Sequence, residues 1–246
     1  QFIWFNQKFS KLSLSFLALN NGYQYENLTE NKFQVAYLQT IGTYGKWDAS
    51  KFYGDFGLYA QTGEAAITND KVDVGAYYAG FNLGYKFTNP FKAELGFEYL
   101  SGKDQNDTDT KVKSFTPLFG TNHGFNGLMD YFYVGNHKNS VGLQDFYTKF
   151  IYDKNKWQVT LAPHVFYSAV SVYNITTLEK QDSYLGTEID LTATYKMDKN
   201  FVISGGVSKM FASDTMEILK GGNNNNCNNW AWVMISFNPQ LFTYKK

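Results

Sequence analysis

The chain has 246 residues, of which 43% are hydrophobic and 19% aromatic, yet its mean hydropathy is only −0.38. The 22 basic residues balance the 22 acidic ones, so no basic field indicates a nucleic-acid partner. No apolar run reaches the roughly 18 residues of a conventional transmembrane helix. The single cysteine, Cys227, excludes an internal disulfide. These features exclude a helical membrane protein.

Turn residues divide the chain into about eleven segments of roughly ten residues, in which apolar side chains alternate with small or polar ones. The segment 91–99 shows this most plainly, because its odd positions are apolar or aromatic and its even positions carry Lys92, Glu94 and Glu98. We predict strands near residues 2–8, 11–21, 32–44, 51–62, 72–87, 91–101, 142–152, 156–169, 183–197, 200–211 and 229–238. This alternation is typical of an antiparallel transmembrane β-barrel, with one such domain over residues 1–246.

The predicted connections alternate between short and long. Short ones fall near 9–10, 45–50, 88–90, 153–155 and 197–200, and long ones near 22–31, 63–71, 102–141, 170–182 and 212–228. Short periplasmic turns and long extracellular loops are the rule in barrels of the bacterial outer membrane, which we predict as the location. Aromatic residues cluster at the short turns and are predicted to form a girdle in the outer-membrane lipid: Trp47, Phe87, Phe91, Trp157 and Phe201.

The alternation also assigns side chains to two faces. On the strand at 183–197 we expect Leu185, Ile189 and Leu191 to face lipid and Tyr184 to face the lumen. Charges on the lipid face would cost about 2–4 kcal/mol each at mid-depth. The same parity predicts these pore-lining residues: Lys92, Glu94, Glu98, Asp145, Tyr147, Lys149, His164, Glu188, Asp190 and Lys196.

Eleven strands are an odd number, whereas a single-chain bacterial barrel normally has an even number with both termini periplasmic. We therefore expect this chain to be the C-terminal part of a longer barrel, preceded by further strands and a signal peptide.

The longest predicted connection, 102–141, is dense in aromatic residues. A loop of this length is usually functional, and it is expected either to remain extracellular or to fold inward. We predict that it forms a constriction through these residues: Phe115, Phe119, Asn122, His123, Phe125, Asn126, Met129, Asp130, Tyr131 and Tyr133.

Six stretches of the chain carry a family resemblance: 15–22, 117–137, 141–145, 185–190, 209–217 and 228–234. They resemble the alginate export family of outer-membrane porins found in Bacteroidota. The resemblance implies a monomeric barrel of about 18 strands with a conducting lumen, of which this chain supplies about the last eleven. Alginate exporters are known for an arginine-lined conduit, whereas all 22 basic residues here are Lys. We therefore predict a porin-like channel without assigning alginate as the solute.

Other chemistry is predicted weakly or not at all. The segment 104–109 offers carboxylate and amide oxygens for Ca²⁺, although a solvated acidic loop is the favoured interpretation. His123 and His137 lie too far apart in sequence for a typical metal motif, so no metal site and no cofactor are predicted. No arrangement indicates an enzyme.

The sequence therefore predicts passage of small or polymeric hydrophilic solutes, by diffusion or export. One alternative is a non-conducting barrel that anchors or joins a complex of other envelope proteins. A second alternative is a soluble carbohydrate-binding β-sandwich.

Overall fold

The computed structural model describes residues 1–121, 123, 125–240 and 242–243. These residues form a single sheet of eleven antiparallel strands, which confirms the predicted all-β fold. The strands are β1 (Phe2–Phe9), β2 (Leu12–Asn27), β3 (Lys32–Ala49), β4 (Phe52–Ala66), β5 (Lys71–Lys86), β6 (Phe91–Leu100), β7 (Leu143–Lys154), β8 (Trp157–Tyr167), β9 (Tyr184–Lys196), β10 (Phe201–Ala212) and β11 (Asn228–Phe237).

The strands follow one another as a meander, so each pairs with its neighbours in sequence. The tight turns at the short-turn end of the sheet contain residues with left-handed backbone: Ser10, Ser50 and Asn155. Among residues other than glycine, Asn adopts this conformation most readily. Among the described residues, β1 and β11 each pair with one strand only. The expected total of about 18 strands is not tested by this chain.

Alternation along the strands gives the sheet two different faces. On the outer face, large apolar side chains stay exposed in strand after strand, as with Leu95 at 61%. On the opposite face, Glu94 of the same strand accepts a hydrogen bond from the Tyr53 hydroxyl, and Glu98 accepts one from the Asn126 side chain. We call this second face, over which residues 101–142 fold, the inner face.

Two predicted connections prove to be mostly strand. β2 to β5 contain 16, 18, 15 and 16 residues, so only residues 28–31 and 67–70 remain as turns where long loops were expected. β3 likewise continues through most of the predicted turn at 45–50. Gly22, Asn27 and Gly63 in these stretches belong to residue types that are depleted in strands, but neighbouring strands supply their pairing partners.

A short helix, α1 (Asp214–Lys220), lies in the connection between β10 and β11 and was not predicted. Its N-cap is Ser213, whose Oγ accepts a hydrogen bond from the Met216 amide at 3.2 Å. Met216 is buried in the main apolar cluster, which holds the helix against the sheet. No helix in the described ranges is long and apolar enough to cross a membrane.

The connection 101–142 folds across the inner face and supplies much of the apolar cluster. Phe115 packs against Tyr78 at a centroid distance of 5.6 Å, and Phe132 packs against Phe166 at 4.8 Å. The Gln61 side chain of β4 binds both the amide and the carbonyl of Thr116, at 3.1 and 2.8 Å. Of the two expectations for this loop, the structure has the inward fold.

Candidate functional site

The inward loop is fixed to the inner face by a bridging asparagine. The Asn126 Nδ2 donates to Glu98 Oε2 at 3.0 Å and to Asp145 Oδ2 at 3.1 Å. Glu98 lies on β6 and Asp145 on β7, and the two are cross-strand neighbours. One amide therefore holds two carboxylates that would otherwise repel each other.

Backbone amides of the same loop bind a second pair of carboxylates, on β9. The amides of Leu128 and Met129 donate to Glu188 Oε1 at 2.7 and 2.8 Å, and the Leu128 amide also donates to Asp190 Oδ2 at 3.2 Å. Gly127 has φ +85°, and a Cβ there would overlap the Glu188 carboxyl group. Only glycine lets the loop approach this closely. We call Glu98, Asp145, Glu188 and Asp190 the docking carboxylates.

A histidine supports one of the docking carboxylates. The Nδ1 of His164 lies 3.0 Å from Asp145 Oδ2, and both residues are buried. The imidazole also stacks on the Tyr147 ring at 5.2 Å. His164 therefore fixes the orientation of Asp145 toward Asn126.

Elsewhere the inner face is lined by tyrosine rings that lie on glycines. A Cβ built on Gly42, Gly84 or Gly96 would overlap the rings of Tyr59, Tyr53 and Tyr147 respectively, and each pair is directly opposed in register. We call these three tyrosines the tyrosine wall. Because glycine leaves room beside it, each ring lies against the backbone of the next strand instead of projecting inward.

Polar groups flank the tyrosine wall. The Tyr53 hydroxyl donates to Glu94 Oε1 at 2.9 Å, and Lys149 is the cross-strand neighbour of Glu94. The Lys149 Nζ lies 4.9 Å from the centre of the Tyr147 ring. A cation at this distance from an aromatic face is stabilised by the ring quadrupole.

The remaining predicted pore and girdle residues lie near the short-turn end. Lys92 forms an ion pair with Asp153 at 3.5 Å, and Lys196 ends β9 and is exposed. The five predicted girdle aromatics lie at the same end: Trp47 packs on Phe81, Trp157 on Tyr195 and Phe201 on Phe237, while Phe87 and Phe91 are more than half exposed.

The predicted constriction residues separate into buried and exposed groups. Phe115 and Asn126 are buried, Met129 contributes its amide to docking, and Tyr131 is half-buried. Phe119 is 81% exposed, and Phe125 and Tyr133 are also exposed. His123 pairs with Asp130 at 2.8 Å. Asn122 lies outside the residues that the structure describes.

A β-bulge alters the predicted faces at the start of β9. Tyr167 of β8 pairs with Tyr184, whereas its neighbour Phe166 pairs with Gly186, so Leu185 is the extra residue. Leu185 is fully buried in the apolar cluster, not exposed to lipid, and Tyr184 packs on Tyr167 of the outer face, not in the lumen. Simple alternation was wrong at these two positions because it assumes an uninterrupted strand.

The acidic segment 104–109 uses its carboxylates within the loop. Asp107 and Asp109 both contact the Lys113 Nζ, at 2.6 and 3.1 Å. Asp104 accepts the Asn106 amide at 2.9 Å. Among the described residues, no three His, Cys, Asp or Glu side chains come together as a metal-binding group.

His137 lies buried between the loop and α1. Burial, together with the nearby Lys220 ammonium, lowers the pKa of His137 to about 4. Burial also lowers the pKa of Lys220, whose Nζ lies 5.2 Å from the centre of the Phe132 ring. At neutral pH His137 is therefore an uncharged packing residue.

Sequence analysis missed Gly127, Leu128 and Phe132, although all three lie within the predicted loop. Leu128 acts through its backbone amide, which leaves no signature in side-chain identity. Phe132 lies between two tyrosines that were predicted, and only the fold shows that it is the buried member. The adjacent glycine at 127 was the one available signal of a close backbone approach.

No family model matches this chain, and no curated protein matches it. Among 22 matching chains of solved structures is one described as "Copper transporter OprC", with 12% sequence identity and a TM-score of 0.45. The alignment covers 86% of this chain and 36% of that one, so the chain spans about a third of the length of that protein.

Proposed function

We propose that this chain forms part of the wall of a bacterial outer-membrane channel for hydrophilic solutes, with residues 115–133 as its internal constriction. The single observation that carries the proposal is the contrast between the two faces of the sheet. The outer face exposes large apolar residues, and the inner face carries the charges of the mid-strand positions; Lys209, beside Phe211 near the end of β10, is a charge on the outer face. In a water-soluble sheet the relation would be reversed or one face would be covered.

The outer face supports placement in lipid. Exposed apolar side chains recur on every strand from β4 to β10: Leu58, Phe81, Leu95, Phe146, Phe150, Leu161, Leu191 and Val207. Four of them follow one another in register across β7 to β10, namely Phe150, Leu161, Leu191 and Val207. Contiguous apolar patches of this extent are rare on soluble monomers. Strands of 10 to 18 residues in β2–β11 are long enough for the roughly 9–11 residues that a tilted membrane strand requires.

The docked loop supports a restricted passage. Its contacts reach from Gln61 on β4 to Asp190 on β9, so it crosses most of the inner face. Four carboxylates hold it, and the space beside the tyrosine wall is left to solute. Selectivity is then set by the loop and by the flanking Glu94 and Lys149.

The proposed solutes are small or polymeric hydrophilic molecules. The sequence resemblance to alginate exporters makes an acidic polysaccharide one candidate for export. A chain whose 22 basic residues are all Lys, facing an equal number of acidic ones, has no strong positive field to attract such a polymer. We therefore propose the channel without a dedicated alginate conduit.

The test is ion conductance of the full-length protein in a planar lipid bilayer. We expect discrete conductance steps, and we expect Asn126→Ala to raise their size because the loop loses its bridge to Glu98 and Asp145. Asn20→Ala is the matched control, since Asn20 lies on the outer face and binds Gln39.

A purified protein that inserts but never conducts, with or without Asn126, would contradict the channel. The alternative of an anchor for other envelope proteins predicts instead that stoichiometric partners remain bound in mild detergent.

A further inference from the structure

Three buried oxygen atoms on neighbouring positions of β9 and β10 have no hydrogen-bond partner among the described residues. They are Glu188 Oε2, Asp190 Oδ1 and Ser208 Oγ. Glu188 and Asp190 share the inner side of β9, and Ser208 of β10 is the direct cross-strand neighbour of Asp190. The three side chains are 0%, 3% and 4% exposed.

The other oxygens of the two carboxylates already have donors. Glu188 Oε1 and Asp190 Oδ2 accept the amides of Leu128 and Met129, so the loop covers one side of the pair. Neither carboxylate forms an ion pair with any described Lys or His. Two buried negative charges side by side are unfavourable unless one carboxyl takes up a proton or a cation lies beside them.

The unpartnered serine is an independent indication of a bound ion. A buried hydroxyl without a partner is rare in proteins and commonly marks a bound water or ion. Two carboxylate oxygens and one hydroxyl oxygen are hard ligands of the kind that Ca²⁺ and Mg²⁺ prefer, with water completing the coordination. The loop above and the strands beside the pair limit access of bulk water.

We propose that Glu188, Asp190 and Ser208 bind a hard divalent cation, Ca²⁺ or Mg²⁺, which neutralises the pair and secures the loop on the inner face. The site does not depend on whether the lumen conducts. Loss of conductance would therefore leave this inference standing, and loss of cation binding would leave the channel standing.

The test begins with the detergent-solubilised full-length protein after treatment with EDTA. Addition of CaCl₂ or MgCl₂ should then raise the melting temperature of the protein. A concentration of about 1 mM suits the affinity of weak extracellular calcium sites. The ion with the larger shift at equal concentration is the one the site prefers. Tb³⁺ provides a second readout, because Trp230 is the register partner of Ser208 and should sensitise its luminescence.

Asp190→Asn should weaken the affinity for the effective cation at least tenfold, and Ser208→Ala should weaken it several-fold. The Ser208→Ala variant should still fold, so that its cation affinity can be measured, since the change removes only a buried hydroxyl without a partner among the described residues. Ser204→Ala is the matched control on the same side of β10, because the Ser204 hydroxyl already binds Thr194 at 3.0 Å.

Three results would overturn the proposal. The first is a melting temperature that neither cation changes. The second is cation binding that Asp190→Asn and Ser208→Ala leave intact, which would place the ion elsewhere. The third is a stability that responds to pH and not to cations, which would mean that a shared proton neutralises the two carboxylates.

Discussion

The docking carboxylates and the tyrosine wall lie on the same inner face but place their side chains differently. At the docking carboxylates, long acidic side chains reach a loop and are buried by it. At the tyrosine wall, rings lie on glycines of the neighbouring strand and stay close to the backbone. The first region fills the inside of the sheet, whereas the tyrosines stay close to the strands; the two regions meet at Tyr59, which packs against the loop-covered cluster, and at Tyr147, which stacks on His164.

The difference shows that a strand pattern alone does not decide what an inner face does. Both regions have the same antiparallel pairing and the same alternation. What differs is the partner of each side chain: a loop amide in one region, a glycine in the other. We therefore expect stability to be concentrated in the loop-covered region.

The largest expected effect is at Phe166, which is fully buried and packs on Phe132 of the loop. Phe166→Ala should lower the free energy of unfolding by about 3–5 kcal/mol, because it leaves a cavity between loop and sheet. Urea unfolding in detergent micelles measures this change. Phe150→Ala on the exposed outer face is the control. An equal loss in both variants would contradict the concentration of stability in the loop-covered region.

A pH effect of about 2 kcal/mol is expected in the same region. The pKa of His137 is about 4 in the fold and near 6.5 when unfolded, so the unfolded chain binds the extra proton between these values. Stability should therefore fall as the pH drops from 7 to 5. His137→Gln should flatten this dependence, measured by urea unfolding at each pH, whereas His123→Gln should leave it in place.

A smaller effect of about 1 kcal/mol is expected from Gly84→Ala, because the new methyl group displaces the Tyr53 ring from its preferred position. The measurement is again unfolding in micelles. Tyr53→Ala in the same chain should relieve the clash, so the double variant should lose less than the sum of the two single losses. Strict additivity would show that the ring does not rest on this glycine.

An effect similar in size to that of Gly84→Ala, about 0.5–1.5 kcal/mol, is expected for Tyr53→Phe. This change removes the hydrogen bond to Glu94 and keeps the ring on Gly84. Tyr53→Phe should lower the free energy of unfolding more than Tyr85→Phe does, because the Tyr85 hydroxyl makes no hydrogen bond to any residue that the structure describes. A loss as large as that of Phe166→Ala would remove the distinction between the two regions.

Much of the fold could be predicted from alternation and turn residues. All eleven strands lie where the sequence indicates, because each satisfies the period of two over most of its length. The C-terminal ends of β2, β3 and β4 were not predicted, since their last residues are strand through pairing with neighbours. The bulge at Leu185 was also missed, although the adjacent Gly186, at φ +151°, is a residue type that often marks a bulge inside a strand.

The inner face was predictable by parity, but the role of its residues was not. Glu94 and Glu188 look alike in sequence, yet Glu94 accepts a tyrosine hydroxyl and Glu188 accepts two loop amides. Backbone donors and serine oxygens carry no sequence signal that distinguishes these two situations. Only the path of the loop does so.

The rings of the tyrosine wall have no space in which to retract, since backbone lies directly behind them. At that level the inner surface of the sheet can therefore recede only if the strands themselves move. In the loop-covered region of the same face, release of the loop from its four carboxylates would widen the proposed passage without any change in the strands.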